Sequence, residues 1–139
     1  MKLSVLRIGT CALWLAWAAL PTAQAHHSYA MFDLSKTVTL QGTIKDFQWT
    51  NPHSWIWIDV PGADGKPTQW GIEGMSPNYL ARRGWSKHTL NPGDKVSVVI
   101  HPLKGADHGG SFLSVTLADG TVMRQSGGPP PSSGPAPNP

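Results

Sequence analysis

The sequence predicts a small, mainly β protein: a five- to six-stranded Greek-key barrel of the OB type, with one short helix between strands three and four. Three observations predict it. Apolar residues alternate with period two in several short stretches divided by Gly-, Pro- and Asn-rich turns; the helix-start signal Ser76-Pro77 stands alone between the third and fourth stretches; and the apolar phase changes within the first stretch, as the bent strands of a small closed barrel require. An open β-sandwich is the alternative architecture.

The first strand begins after Lys36. Val38, Leu40 and Ile44 alternate with Thr39, Gln41 and Thr43, and Phe47 and Trp49 then continue on the opposite parity, which predicts a bulge or sharp coil that Gly42 makes easier. Ser54 to Val60 reads as a second strand with Ile56, Ile58 and Val60 on one face and Trp55, Trp57 and Asp59 on the other, so both faces are largely apolar. The turn cluster 61–65 should join it as a hairpin to a third strand, Thr68 to Glu73, in which Trp70 and Ile72 share a face. Ser76 as N-cap and Pro77 at the first helical position predict a helix through Arg83, closed by Gly84, with Trp85 folding back on its last turn. After the turn Asn91-Pro92-Gly93-Asp94, Lys95 to His101 points Val96, Val98 and Ile100 inward, and Phe112 to Ala118 points Leu113, Val115 and Leu117 inward. Asp119-Gly120 turns the chain into a last short strand, Thr121 to Arg124.

The ends read differently. Lys2 and Arg7 precede an apolar stretch from Ile8 to Leu20, Pro21 follows, and Ala23-Gln24-Ala25 carries small residues where signal peptidase reads, so residues 1–25 are expected to be a cleavable signal peptide and His26 the first mature residue. The apolar stretch falls short of the roughly 20 residues that span a bilayer, and no other run approaches that length. The mature protein is therefore expected in the periplasm or secreted, with no membrane association after cleavage. Residues 26–124 would form one domain, and the Pro/Gly/Ser run of 125–139 has no apolar periodicity with which to offset the entropy of ordering.

Composition narrows the function classes. The single cysteine, Cys11, leaves with the signal, so disulfides and thiolate metal sites are excluded from the mature chain. Of eleven Lys and Arg, two leave with the signal, and nine against eight acidic residues make no electrostatic footprint for nucleic acid. There is no Walker loop, dinucleotide fingerprint, His-Glu-x-x-His or nucleophile elbow, and Glu73, the only glutamate, has no evident paired acid. The residues favour a binding module over an enzyme, its partner a small ligand, a metal ion or another periplasmic protein.

Two groups of residues could carry that binding. An N-terminal His26 would hold a free α-amino group beside its own imidazole, two nitrogens able to chelate one ion, and copper favours nitrogen-rich tetragonal sites. His27 cannot easily share its neighbour's chelate, so a third nitrogen would come from His53, His101 or His108. The bland alternative is a solvated histidine pair at a chain end. Next, Trp49-Thr50-Asn51-Pro52-His53-Ser54-Trp55-Ile56-Trp57 gathers three tryptophans and a histidine around one corner, where Asn-Pro initiates a turn and fixes His53 at the start of the second strand. The face of strands two and three is the usual ligand platform of an OB-type barrel, so Trp55 and Trp57 could stack on a ring, with His53 or Glu73 as the polar contact. Core or cover packing is the competing account of those rings. Arg82, Arg83, Lys87 and His88 form a basic patch for which the helix dipole is a sufficient structural reason, and Met75 is either a soft copper ligand or core filler.

The combination His26-His27-Ser28-Tyr29-Ala30 with Phe32-Asp33, Leu40-Gln41-Gly42-Thr43, Trp49 with Asn51-Pro52-His53, Trp70 followed by Glu73, Leu80 with Arg83-Gly84-Trp85, and Pro92-Gly93-Asp94-Lys95-Val96 resembles the exported bacterial proteins called domain of unknown function 6152. The resemblance runs from about His26 to Arg124. It implies an extracytoplasmic location in a bacterium and no established activity.

Overall fold

The computed structural model describes residues 29–105 and 108–126. The expected signal peptide, His26 and His27, and the Pro/Gly/Ser run beyond Ser126 lie outside the described residues. Within them the order is a 3-10 turn (Tyr29–Met31), β1 (Val38–Gln48), β2 (Trp55–Pro61), β3 (Pro67–Glu73), α1 (Pro77–Ala81), β4 (Lys95–Pro102), β5 (Gly109–Thr116) and β6 (Val122–Arg124). The strands form one sheet in the order β3-β2-β1-β4-β5-β6, and a parallel β3–β5 pairing closes the first five into a barrel with β6 outside it. That closure is the OB-type arrangement, and it rules out the open sandwich. No helix among the described residues is long and apolar enough to cross a membrane.

β1 belongs to two neighbours. Val38 to Thr43 pair with β4 and Thr43 to Gln48 with β2, and the register slips between Ile44 and Asp46, so Lys45 is the extra residue of the anticipated bulge. The slip moves the inward side from the even residues Leu40 and Ile44 to the odd residue Phe47, as the phase change requires. Ile44 is pinned where β1 changes partner: its N–H donates to the Asp94 carbonyl and its carbonyl accepts from Gly93 N–H, both at 2.8 Å. Gly42 is needed just before, because a Cβ there would meet the Asp59 carbonyl oxygen at 2.7 Å.

The core contains Ile56 and Ile58 from β2, Trp70 and Ile72 from β3, Val96, Val98 and Ile100 from β4, and Phe112 and Val115 from β5, all buried. Strands this rich in β-branched residues suit a pleated surface packed on one side. Truncating the fully buried Phe112 to alanine costs about 3–5 kcal/mol. The hairpin between β2 and β3 forms as predicted, its turn closed by Gly62 N–H to the Lys66 carbonyl, with Gly65 in the left-handed region.

Two expectations need correction. β5 starts at Gly109, not Phe112, and Leu113 is a bulge residue, skipped between the pairs Ile100–Phe112 and Val99–Ser114. Phe112 therefore takes the inward position expected of Leu113, and Val115 resumes beyond the bulge. Simple alternation cannot foresee this, since the two glycines that begin the strand carry no apolar signal. The α-helix also stops at Ala81, two residues early. Ser76 caps it as expected, its Oγ accepting from Tyr79 N–H at 3.4 Å. Its end is a Schellman closure: Trp85 N–H donates to the Leu80 carbonyl and Gly84 N–H to that of Ala81, with Gly84 left-handed. Leu80, Trp85 and Leu90 are thereby delivered to the core, where Trp85 packs edge-on against Phe112 and donates its indole N–H to the Arg124 carbonyl. Arg83 bonds the Tyr79 carbonyl and lies over the Tyr79 ring at 3.7 Å, a structural use for one member of the basic patch.

Candidate functional site

The turn joining β1 to β2 sets His53. Its Asn51–Pro52 peptide bond is cis, and Thr50 Oγ1 donates to the His53 carbonyl. The next residue, Ser54, is buried and stitched to the chain leaving β3, donating from N–H and Oγ to the Met75 carbonyl and accepting Gly74 N–H on its own carbonyl. The β1–β2 corner and the end of β3 are thus fixed to each other, which brings His53 against Glu73.

His53 Nδ1 lies 3.2 Å from Glu73 Oε1 and 3.2 Å from the Gly74 carbonyl oxygen. A carbonyl and a carboxylate only accept, so Nδ1 carries the proton and donates to both. When the ring is neutral, this tautomer leaves the Nε2 lone pair available. The Glu73 side chain is only 14% exposed and that of His53 37%, so the acid is the buried support and the imidazole the reachable end. Both line a small pocket with Tyr29, Gly74, Met75, Ser111 and Gln125. The space at its centre, about 10 Å³, admits one water-sized guest.

Besides Gly74, which contributes its backbone carbonyl, three pocket residues escaped sequence reasoning. Tyr29 reaches the pocket because the segment after it is tied down: Asp33 N–H donates to the Pro102 carbonyl, Lys104 N–H to that of Met31, and Lys104 Nζ to that of Ala30, while Phe32 is buried. The one signal was an isolated Phe32 in a polar stretch. Gln125, buried just past β6, accepts Met75 N–H on Oε1 at 2.9 Å. It stood at the boundary assigned to the tail. Ser111 arrives because β5 begins earlier than expected.

The remaining predicted site residues are placed as follows. His101 is on β4 opposite Ser111, which in turn pairs with Glu73, so the three share one register row. Its Nδ1–H donates to the Lys36 carbonyl at 2.7 Å, again freeing Nε2, but it does not line the pocket of His53. His108 lies edge-on to Trp70. Among the described residues no three His, Cys, Asp or Glu converge in a set able to hold a metal. Trp55 and Trp57 stack on each other at 5.9 Å and 19° on the outer face of β2, both half-buried. Trp57 also borders a shallow groove of about 250 Å³ with Lys45, Asp46, Gln48 and Gln69. The rings are therefore outside the core, as a platform requires, although the Trp57 indole N–H is buried without a partner.

No curated protein and no solved structure matches the chain. A family profile matches residues 15–112, which is 98 of the 139 residues; it takes in β1 to β4 and the first half of β5, and leaves the rest of β5 and β6 outside. On that match, the chain belongs to the family of unknown function DUF6152.

Proposed function

We propose that this chain works outside the cytoplasm, after loss of residues 1–25, as a copper-binding protein. The amine and imidazole of His26 and Nε2 of His53 hold the ion, with His27 alongside. The observation that carries the reading is the His53–Glu73 pair. Metal-bound histidines usually donate their other ring N–H to a carboxylate or a backbone carbonyl, which fixes the tautomer and strengthens the ligand, and His53 does both at once. His53 is favoured over His101 because its pocket is also lined by Tyr29, three residues from His26. Three residues span at most about 10 Å, so a terminal amine at His26 stays within reach of that pocket. The test is copper titration of protein beginning at His26 against the same protein with one extra residue in front. The extra residue is expected to weaken binding by at least about tenfold, because the α-amino ligand becomes an amide. Equal affinity would sink the proposal.

A second reading has its own observation. The stacked, half-buried Trp55–Trp57 pair beside a polar groove supports a small-molecule or protein partner on the outer face of β2 and β3. Quenching of tryptophan emission by a partner, lost in Trp57→Ala, would favour it; a copper-only response would oppose it.

A further inference from the structure

We propose that the groove beside Trp57 is a subsite for one ring of a neutral saccharide. The proposal rests on the second reading above, to which it gives a ligand class, and it does not involve the copper pocket. Strand register brings the walls of the groove together. Asp46 on β1 is directly opposite Trp57 on β2, and Gln48 is directly opposite Trp55; side chains paired in this way share a face, with Cβ atoms about 4.5–5.5 Å apart. Lys45 is the bulge residue beside Asp46. Gln69 stands on β3 two positions before Gly71, the partner of Trp57, and so lies on the same face. Ile56 and Ile58 take the inward side of β2, which leaves this face outside the core.

One wall is aromatic and the rim is polar. Trp55 stacks on Trp57 at 5.9 Å and 19°, and Gly71 makes room for the six-membered part of the Trp57 ring, which a Cβ there would meet at 2.7 Å. What remains of Trp57 lines the groove, and four exposed polar side chains surround it. Gln48 Nε2 donates to Asp46 Oδ2 at 3.1 Å, which steadies both side chains and leaves the Gln48 amide oxygen and the second Asp46 oxygen to accept. The side chains of Lys45 and Gln69 have no partner among the described residues, so an ammonium group and a whole amide are also on offer. A saccharide hydroxyl both donates and accepts and is matched by such a mixed rim, while the carbon–hydrogen face of a sugar ring packs on an indole. Lys45 and Asp46 are neighbours of opposite sign, so the groove favours neither an anion nor a cation, and its ligand is neutral. The space is about 250 Å³, below the roughly 300–1,000 Å³ of pockets that enclose a drug-sized molecule. It takes one ring, with the rest of the chain running over the open surface.

The experiment titrates nitrogen-15-labelled protein, expressed as the full chain, with maltohexaose, cellohexaose and chitohexaose, and with an acidic galacturonate hexamer for comparison. At least one neutral hexamer is expected to shift the Trp57 indole and the Gln48 and Gln69 side-chain amide signals saturably, with the acidic hexamer binding no tighter. Trp57→Ala is expected to weaken that binding by about tenfold or more, and Gln69→Ala, at an exposed position, by about threefold or more. If no neutral hexamer moves these signals, the saccharide is overturned, and the outer-face reading is left to its own quenching test with other partners. An acidic hexamer that binds tighter than every neutral one overturns the neutral ligand while keeping the face. Full saccharide affinity in both variants puts the sugar elsewhere and overturns the groove and the outer-face reading together. Gln69→Ala and the spectra of unmodified protein decide the matter even if Trp57→Ala fails to fold.

Discussion

Gly71 and Trp57 face each other across β3 and β2, and a Cβ on the glycine would come within 2.7 Å of the indole ring. The ring occupies the space that glycine leaves open, and this holds Trp57 in its stack with Trp55. Gly110 is different, since a Cβ there would meet the His101 carbonyl oxygen at 2.5 Å and the Ile100 side chain at 2.6 Å. A half-buried ring can tilt aside; a carbonyl in a β-ladder cannot.

Gly71→Ala is therefore expected to destabilise the protein by about 1 kcal/mol and Gly110→Ala by about 3 kcal/mol, the two ends of the range for overpacking. Urea denaturation measures both, and near-ultraviolet circular dichroism should show the Trp55–Trp57 signal weakened only in Gly71→Ala. The reverse order of stabilities would mean that the indole, not the barrel backbone, is the rigid partner.

Gln125 supplies the acceptor for Met75 N–H from a buried position. Gln125→Leu leaves that donor without a partner and is expected to cost about 1–3 kcal/mol, whereas Gln125→Glu, which keeps an acceptor oxygen, should cost less. Thermal unfolding of the two variants checks the ordering. A leucine variant as stable as the parent would show that water replaces the amide and that Met75 is not fixed from this side.

The barrel was legible because its evidence is local: period-two alternation, the Ser76-Pro77 start and Gly84 stop of the helix turn, and the phase change at Lys45 all report backbone geometry directly. Leu113 was misplaced because a bulge in β5, unlike that in β1, falls between residues that are apolar on either parity. The site was legible in half. His53 and Glu73 were both named, but their meeting depends on Ser54 sewing the β1–β2 corner to Met75, a tie between residues 21 positions apart that no spacing rule contains. Tyr29 and Gln125 come from opposite ends of the fold, and only closure of the barrel brings them to one pocket.

Asp33 provides a pH-dependent test of the segment that carries Tyr29. Its carboxylate accepts from Ser35 Oγ at 2.6 Å and pairs with Lys36 Nζ at 3.0 Å, and these contacts, the serine hydrogen bond foremost, hold its pKa down to about 2 from the usual 3.8. A depressed carboxyl stabilises the folded form while ionised, so its contribution is complete above about pH 3.8 and is lost as pH falls toward 2. Carbon-detected titration should find Asp33 near 2 in the parent and closer to the ordinary value in Ser35→Ala. An Asp33 that titrates normally in the parent would mean that this turn is not closed in solution.

The role given to Glu73 can be separated from its role in packing. Glu73→Gln keeps an oxygen that can accept from His53 Nδ1–H but removes the charge, so the fold should survive while the imidazole becomes a poorer donor to a metal. Copper affinity is expected to fall by about 10–100-fold, the range for losing an outer-sphere partner, and unfolding midpoints should barely move. Long-range proton–nitrogen correlation spectra of metal-free protein add a check independent of copper. Neutral His53 should appear as the Nδ1–H form, because both groups facing Nδ1 are acceptors. An Nε2–H tautomer would occupy the lone pair that the ion needs, and would remove the observation that carries the copper reading.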